Sequence, residues 1–308
     1  MKKFICYGLI FTLLIMTGCT IKHAENTTAS HSKFTQDDSD DASTTFEESN
    51  GEPKGTTSEI DFFKDYTSDI ETEVYAAINA SSTLQEEIEM VQKVSDKYTE
   101  WAKQAMSQTE MNMSSEWFYT IWDTELNSLW SRFIETADED TKAKVLSAQR
   151  YWVSIKDEIV LETLGPSDTG GSIYPCLEYG LLEEMTLNRC NIIANELAKI
   201  TGEDFQMPKR SLYGTYIDNQ GTNEVYSYLS TQPGWMHDNE AKISIYRLAT
   251  LEGTFIEKGN NELDFSTNDG DIKGIIRLND WNGASFEITA SSNSLLSVGE
   301  KFEFNFAL

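Results

Sequence analysis

The spacing of apolar residues changes once along this chain, near residue 205, and no single layer of structure can satisfy both patterns. Upstream the period is helical. Ile60, Phe63, Ile70, Val74 and Ala77 outline a first helix, and Leu84, Ile88, Val91, Val94, Tyr98, Trp101 and Ala105 a second. Tyr119, Trp122, Leu126, Leu129 and Phe133 recur at steps of three and four, as do Val145, Ala148, Trp152, Ile155 and Ile159. These last two stripes are expected to face each other as an antiparallel pair. The TADED joint (136–140) between them has capping-box spacing at Thr136 and Glu139. A further helix is expected from about Pro175 to Ile200, with Leu182, Met185, Ile193 and Leu197 inward.

From Leu212 onward the period is two. Ile243 and Ile245, Leu263 and Phe265, Phe286 and Ile288, and Phe302, Phe304 and Phe306 alternate with polar residues. The turn signals GNN (259–261), NDG (268–270) and NG (282–283) separate the runs. The expected architecture is therefore α then β: an all-helical bundle over 58–205, then a small antiparallel barrel or sandwich over 206–308. TGEDFQMPKR (201–210) marks the boundary.

The first 57 residues belong to neither pattern. Lys2 and Lys3 precede an apolar run from Phe4 to Met16, and MTGC (16–19) follows. The run falls short of the ~20 residues of a comfortable bilayer span. Residues 1–18 resemble a bacterial lipoprotein signal, which implies cleavage before Cys19, lipid on that cysteine, and a location on the extracytoplasmic side of the cell membrane. Residues 19–57 are rich in Ser, Thr, Asp and Glu, with Phe34 and Phe46 as the only aromatics. A segment of this kind buries too little apolar surface to offset its ordering entropy, so a disordered tether is expected.

The formal net charge is -27. Nucleic acid is a poor partner for such a chain, because affinity there rests on Lys and Arg neutralising phosphates. A cationic protein would instead be steered toward it. Acidity that serves only solubility is the plainer reading of composition.

The sequence offers no familiar catalytic set. Its three histidines are His23, His31 and His237, with no pair at zinc-binding spacing and no evident Ser-His-Asp arrangement. A GxxxxGK[ST] phosphate loop is missing as well. Paired carboxylates such as Glu183 and Glu184 are what a chain with 51 acids places on solvated helix faces. The expectation is a protein that is not an enzyme and needs neither metal nor cofactor. Beyond Cys6 and Cys19, only Cys176 and Cys190 could pair, and fourteen residues along one straight helix separate them by ~21 Å. Two separate thiols are expected unless Cys176 lies on a loop folded back on the helix.

One ordered set of short motifs carries more information. Glu110 in EMN is followed by DTELN (123–127), AQRYW (148–152), KDE (156–158), GGS (170–172) and TLNR (186–189). Together they resemble the N-terminal domain of the lysozyme inhibitor LprI family, with a core over 110–197. The matching positions are Glu110, Asp123, Leu126, Asn127, Ala148, Gln149, Arg150, Trp152, Lys156, Asp157, Gly170, Gly171, Ser172, Thr186 and Arg189. Ser114, Val160 and Leu181 stand where the family commonly has cysteines, so its disulfide framework is missing here.

Each match also has a structural reading. Leu126 and Trp152 lie on inward stripes. Asn127, Gln149 and Arg150 could fix the register of neighbouring helices, while Lys156 and Asp157 could simply lie on the bundle surface. In GPSDTGGSIYP (165–175), glycines could form turns, Ser172 an N-cap and Pro175 the first helical turn. The same segment could be an exposed recognition loop.

The resemblance implies a helical bundle that binds a lysozyme or another cationic protein. Residues 110–200 carry 16 acids against 7 bases, which suits a cationic partner. Exposure and charge nominate Asp168, Ser172, Tyr174 and Glu178 as contacts that occlude a muramidase cleft. The competing expectation is a surface binding or adhesion lipoprotein whose β-part captures a ligand while the bundle serves as spacer. A cell-wall hydrolase ranks third, given the missing catalytic set.

Overall fold

The computed structural model describes residues 60–234 and 239–308. The expected signal, Cys19, the tether and all three histidines lie outside the described residues. Ser58–Leu308 form one compact unit. Its order is α1 (Thr67–Ala80), α2 (Leu84–Ala102), α3 (Gln108–Thr136), α4 (Glu139–Leu164), a 3-10 turn (Gly171–Ile173) and α5 (Tyr174–Thr201). The strands that follow are β1 (Gly214–Asp218), β2 (Ser227–Pro233), β3 (Asn239–Ile245), β4 (Ala249–Gly259) and β5 (Glu262–Thr267). Next come β6 (Ile272–Leu278), β7 (Ala284–Ser291), β8 (Lys301–Phe304) and β9 (Phe306–Ala307). The α-then-β expectation holds: five helices precede a nine-stranded antiparallel sheet curled into a nearly closed barrel.

The helix starts follow from local chemistry. Thr83 accepts a hydrogen bond from the Glu86 amide, and Asp138 accepts one from Thr141. Ser107 and Glu110 form a reciprocal capping box at the start of α3. The box expected at Thr136 and Glu139 does not form. Thr136 is the last residue of α3, its hydroxyl donates to the Arg132 carbonyl, and Asp138 caps α4 instead. The first helix also starts later than expected. Ile60 and Phe63 precede it, and Phe63 is exposed, while Phe62 stacks on Trp117 at 5.6 Å.

Helix α5 is the central element. It packs along α3 and also against α4, burying Met185, Cys190, Ile193, Ala194 and Leu197. The expected direct pairing of α3 with α4 is therefore replaced by packing of both on α5. Where α3 and α4 do meet, long side chains span the gap: Lys156 Nζ donates to the Tyr119 hydroxyl at 3.3 Å. Trp122, Leu126, Leu129 and Phe133 are buried as expected, but Tyr119 is only half-buried and leaves the inward stripe.

The sheet is a meander, with every strand antiparallel to its neighbour in the chain until the end. Turns occur where expected. Asn260 and Asn261 have φ of 53° and 59°, a pair that only small polar residues and glycine accept readily. The barrel interior is filled by Tyr216, Leu229, Ile243, Phe265, Phe286 and Phe304, leaving the β-part with a solid core. Closure comes from a single segment. β8 pairs with β7, the chain bends at Asn305, and β9 pairs with β1 at the opposite end of the sheet.

That bend breaks the Phe302–Phe304–Phe306 alternation. Phe304 points into the barrel, whereas Phe306 packs outward on the bundle, its ring 5.2 Å from Tyr151. Ile217, Tyr228 and Leu308 likewise join the helical core from the barrel's outer face. Asn188 Nδ2 donates to the Leu308 main-chain oxygen at 3.0 Å, and the Tyr228 hydroxyl donates to Glu162 at 3.3 Å. The bundle's apolar core thus extends onto the barrel's outer face, while the barrel interior keeps a core of its own.

Candidate functional site

The signature residues fall into two groups. The first is internal. Leu126, Trp152, Thr186 and Arg189 are buried. Arg189 Nε donates to Gln149 Oε1 at 2.6 Å, tying α5 to α4, so Gln149 fixes helix register as its structural reading expected. Burial lowers the Arg189 pKa to about 10. The Thr186 hydroxyl donates to the Leu182 carbonyl at 2.6 Å and so is satisfied within its own helix. Glu110 belongs with this group by role: its carboxylate accepts from the Met106 and Ser107 amides at 2.7 and 2.9 Å. Those bonds hold its pKa below the ordinary glutamate value.

The second group lies at the surface. Asp123 and Asn127 are joined by a hydrogen bond of 3.0 Å within α3, so Asn127 does not bridge helices. Arg150 and Asp157 are exposed. Lys156 is largely covered, its ammonium lying 5.3 Å from the Tyr119 ring centre and 5.8 Å from that of Trp152.

The glycine loop is more tightly built than a free recognition loop. Gly165 ends α4 with φ of 74°, and Gly171 has φ of 67°. Gly170 is constrained differently: a Cβ there would lie 2.3 Å from Cδ2 of Tyr174. The Tyr174 ring is buried under the loop, and its hydroxyl donates to the Gly165 carbonyl at 3.3 Å. Asn112 Nδ2 donates to the Ser172 carbonyl at 2.8 Å, and the Cys176 thiol donates to Asn112 Oδ1 at 3.0 Å. Burial raises the Cys176 thiol pKa. Cys176 and Cys190 are both free, as expected.

The four nominated contact residues therefore separate. Asp168 and Ser172 are exposed on the loop, and Glu178 is half-buried on the first turns of α5. Tyr174 is a buried prop under the glycines, so the expected surface contact there is corrected to a structural one. Ser172 does not cap α5 either. It lies within the 3-10 turn, which runs directly into the helix, with Ile173 at the N-cap position and Pro175 in the first turn.

A concave site lies elsewhere. Between α1 and α3 is a groove of about 280 Å³ lined by Glu71, Tyr75, Glu116, Tyr119, Asp123 and Asn127, among others. Three carboxylates and two phenol rings face a space open to solvent, with no lysine or arginine in the lining. The carboxylates of such a lining suit an ammonium or guanidinium group. Tyr119 also meets Tyr179, ring centres 6.2 Å apart, and burial followed by the nearby Glu116 charge raises the Tyr179 pKa.

Of the groove residues, only Asp123 and Asn127 stood out in the sequence. A legible signal runs through them: Glu116, Thr120, Asp123 and Asn127 recur at steps of four, three and four, a polar stripe beside the apolar one on α3.

A second hollow, about 310 Å³, sits on the barrel rim and includes Asp218, Ser227, Tyr246, Lys301 and Glu303. Among the described residues, no group of His, Cys, Asp and Glu is placed to hold a metal ion.

Comparison with known proteins bears on the helical part. The family model described as Lysozyme inhibitor LprI matches residues 99–192, from the last turn of α2 into α5. That is under a third of the chain, and it contains the glycine loop and the α3 wall of the groove. No curated protein and no solved structure matches the chain.

Proposed function

We propose that this protein binds a cationic lysozyme and occludes its muramidase cleft, acting as an inhibitor and not as an enzyme. The observation that carries this reading is the match to the lysozyme inhibitor family over 99–192, the segment that supplies the α3 wall of the acidic groove. A net charge of -27 draws a cationic enzyme in from a distance. Basic side chains on the rim of the enzyme's cleft then enter the groove, where Glu71, Glu116 and Asp123 meet them. The exposed part of the glycine loop, at Asp168 and Ser172, extends the contact. A lipid on Cys19 would hold the protein at the outer side of the cell membrane, where it would meet lysozyme.

The test is inhibition of peptidoglycan lysis by a c-type lysozyme, read as clearing of a cell-wall suspension. The intact protein is used, because the bundle's core extends onto the barrel. Inhibition in the micromolar range at low salt is expected, and its absence there refutes the proposal. Neutralising Glu116 and Asp123 together is expected to weaken inhibition about tenfold, mainly through slower association.

A further inference from the structure

Glu125 follows the groove residue Thr124 on α3 but is turned into the bundle, where it is 0 % exposed. Neither of its carboxyl oxygens receives a hydrogen bond among the described residues. The charged and titratable groups around it can be named by element. From α2 comes Glu87, itself only 4 % exposed. From α3 comes Arg132, whose guanidinium grips Glu87 with both terminal nitrogens, Nη1 at 2.9 Å. From α5 comes Cys190, a fully covered thiol that donates to the Trp122 carbonyl at 3.3 Å, with Asp123 the further acid near that sulfur. The residues that α1 buries are apolar: Ile70, Val74 and Ala77.

The charge balance of this cluster is decisive. One guanidinium is already committed to one carboxylate. An ionised Glu125 would add a second negative charge beside Glu87 with no cation left for it, which the buried surroundings oppose. A neutral Glu125 leaves the cluster at zero net charge and supplies a hydroxyl donor next to the Glu87 carboxylate. Burial, and then the Glu87 charge, raise the Glu125 pKa well above the ordinary glutamate value, against a smaller opposing effect of Arg132.

We propose that Glu125 is a proton-holding clamp on α2: as the neutral acid it donates to Glu87 across the α2–α3 seam, and loss of its proton to solvent releases α2 from the bundle. The direction follows from the raised affinity for the proton. The stabilisation is complete below the ordinary glutamate pKa, declines above it, and is gone once pH has climbed through the raised folded-state value. Release would uncover Leu84, Val91 and Tyr98, the buried apolar residues of α2. The clamp stands independently of the lysozyme reading.

The test is amide hydrogen exchange of the protein between pH 6 and 10, followed by mass spectrometry and corrected for the intrinsic rise in exchange rate. In the wild type, the opening equilibrium of residues 84–102 is expected to grow by up to about tenfold per pH unit while Glu125 stays protonated in the closed bundle, and to level off once pH passes its folded-state value. In Glu125→Gln, which keeps a donor and cannot ionise, the same peptides should show no such rise. An equal rise in both proteins, or none in the wild type, overturns the clamp. Should Glu125→Gln fail to fold, carboxyl carbon NMR of the wild type decides: a Glu125 carboxyl that titrates above the ordinary glutamate range supports the proposal, and one that titrates within it refutes it.

Discussion

At Gly170 the requirement for glycine comes from a neighbour rather than from its own backbone angles. The Tyr174 ring fills the space a Cβ would take, 2.3 Å from the ring edge. Gly170→Ala is therefore expected to lower stability by about 1–3 kcal/mol, the usual cost of forcing a methyl into a filled space. Denaturant unfolding monitored by circular dichroism checks it. Gly171→Ala should also destabilise, but through its φ of 67°, with open space around the new methyl. Both substitutions should leave the α1–α3 groove intact and so separate the loop's share of partner binding from the groove's. The glycines were legible in the sequence as a loop. The role of Tyr174 was not, because a tyrosine beside a turn reads as exposed until the ring that it buries is known. Arg189 and Gln149 show the same limit: forty residues apart in sequence, they form one hydrogen bond of 2.6 Å in the fold.

At the scale of elements, helix positions were the most legible feature, since they rest on local periodicity and caps. The box at Ser107 and Glu110 gives the signature glutamate a structural role. Ser107→Ala is expected to cost about 1 kcal/mol in thermal stability. Glu110→Gln should cost less, because an amide oxygen can still accept from the Met106 and Ser107 amides. Because those bonds lower the Glu110 pKa, the added stability of Glu110 over Gln should be present at neutral pH and vanish on acidification through its folded value. Comparing melting temperatures of the two proteins across pH 2 to 7 tests that sign. Helix partners were less legible than positions. Two apolar stripes, on α3 and α4, could pair with each other or with a third helix, and periodicity alone carries no partner choice. The wide apolar surface of α5 settles the matter by taking both. The polar stripe of α3 was open to the same periodic reading as the apolar one, and with it the groove.

At the scale of the whole molecule, the change of apolar period separated helices from strands, but it could not show that the bundle's core extends onto the barrel. That extension depends on Asn305, where the last strand changes sheet edges and Phe306 turns from the barrel to the bundle. Phe306→Ala is expected to destabilise bundle and barrel together, by about 2–4 kcal/mol for the loss of a half-buried ring. A single cooperative unfolding transition, moved to lower denaturant, is the expected result in tryptophan fluorescence and circular dichroism alike. The acidity of the surface and the family match over 99–192 meet in one claim, that the groove between α1 and α3 receives a cationic lysozyme. The most direct measurement is the dissociation constant for a c-type lysozyme, by calorimetry, for the wild type and for Glu116→Gln/Asp123→Asn at low and high salt. The account predicts micromolar or tighter binding by the wild type at low salt, weakened as salt shortens the Debye length below ~10 Å and about tenfold weaker in the double variant. Absence of binding by the wild type at low salt, or binding indifferent to both salt and the two substitutions, would contradict it.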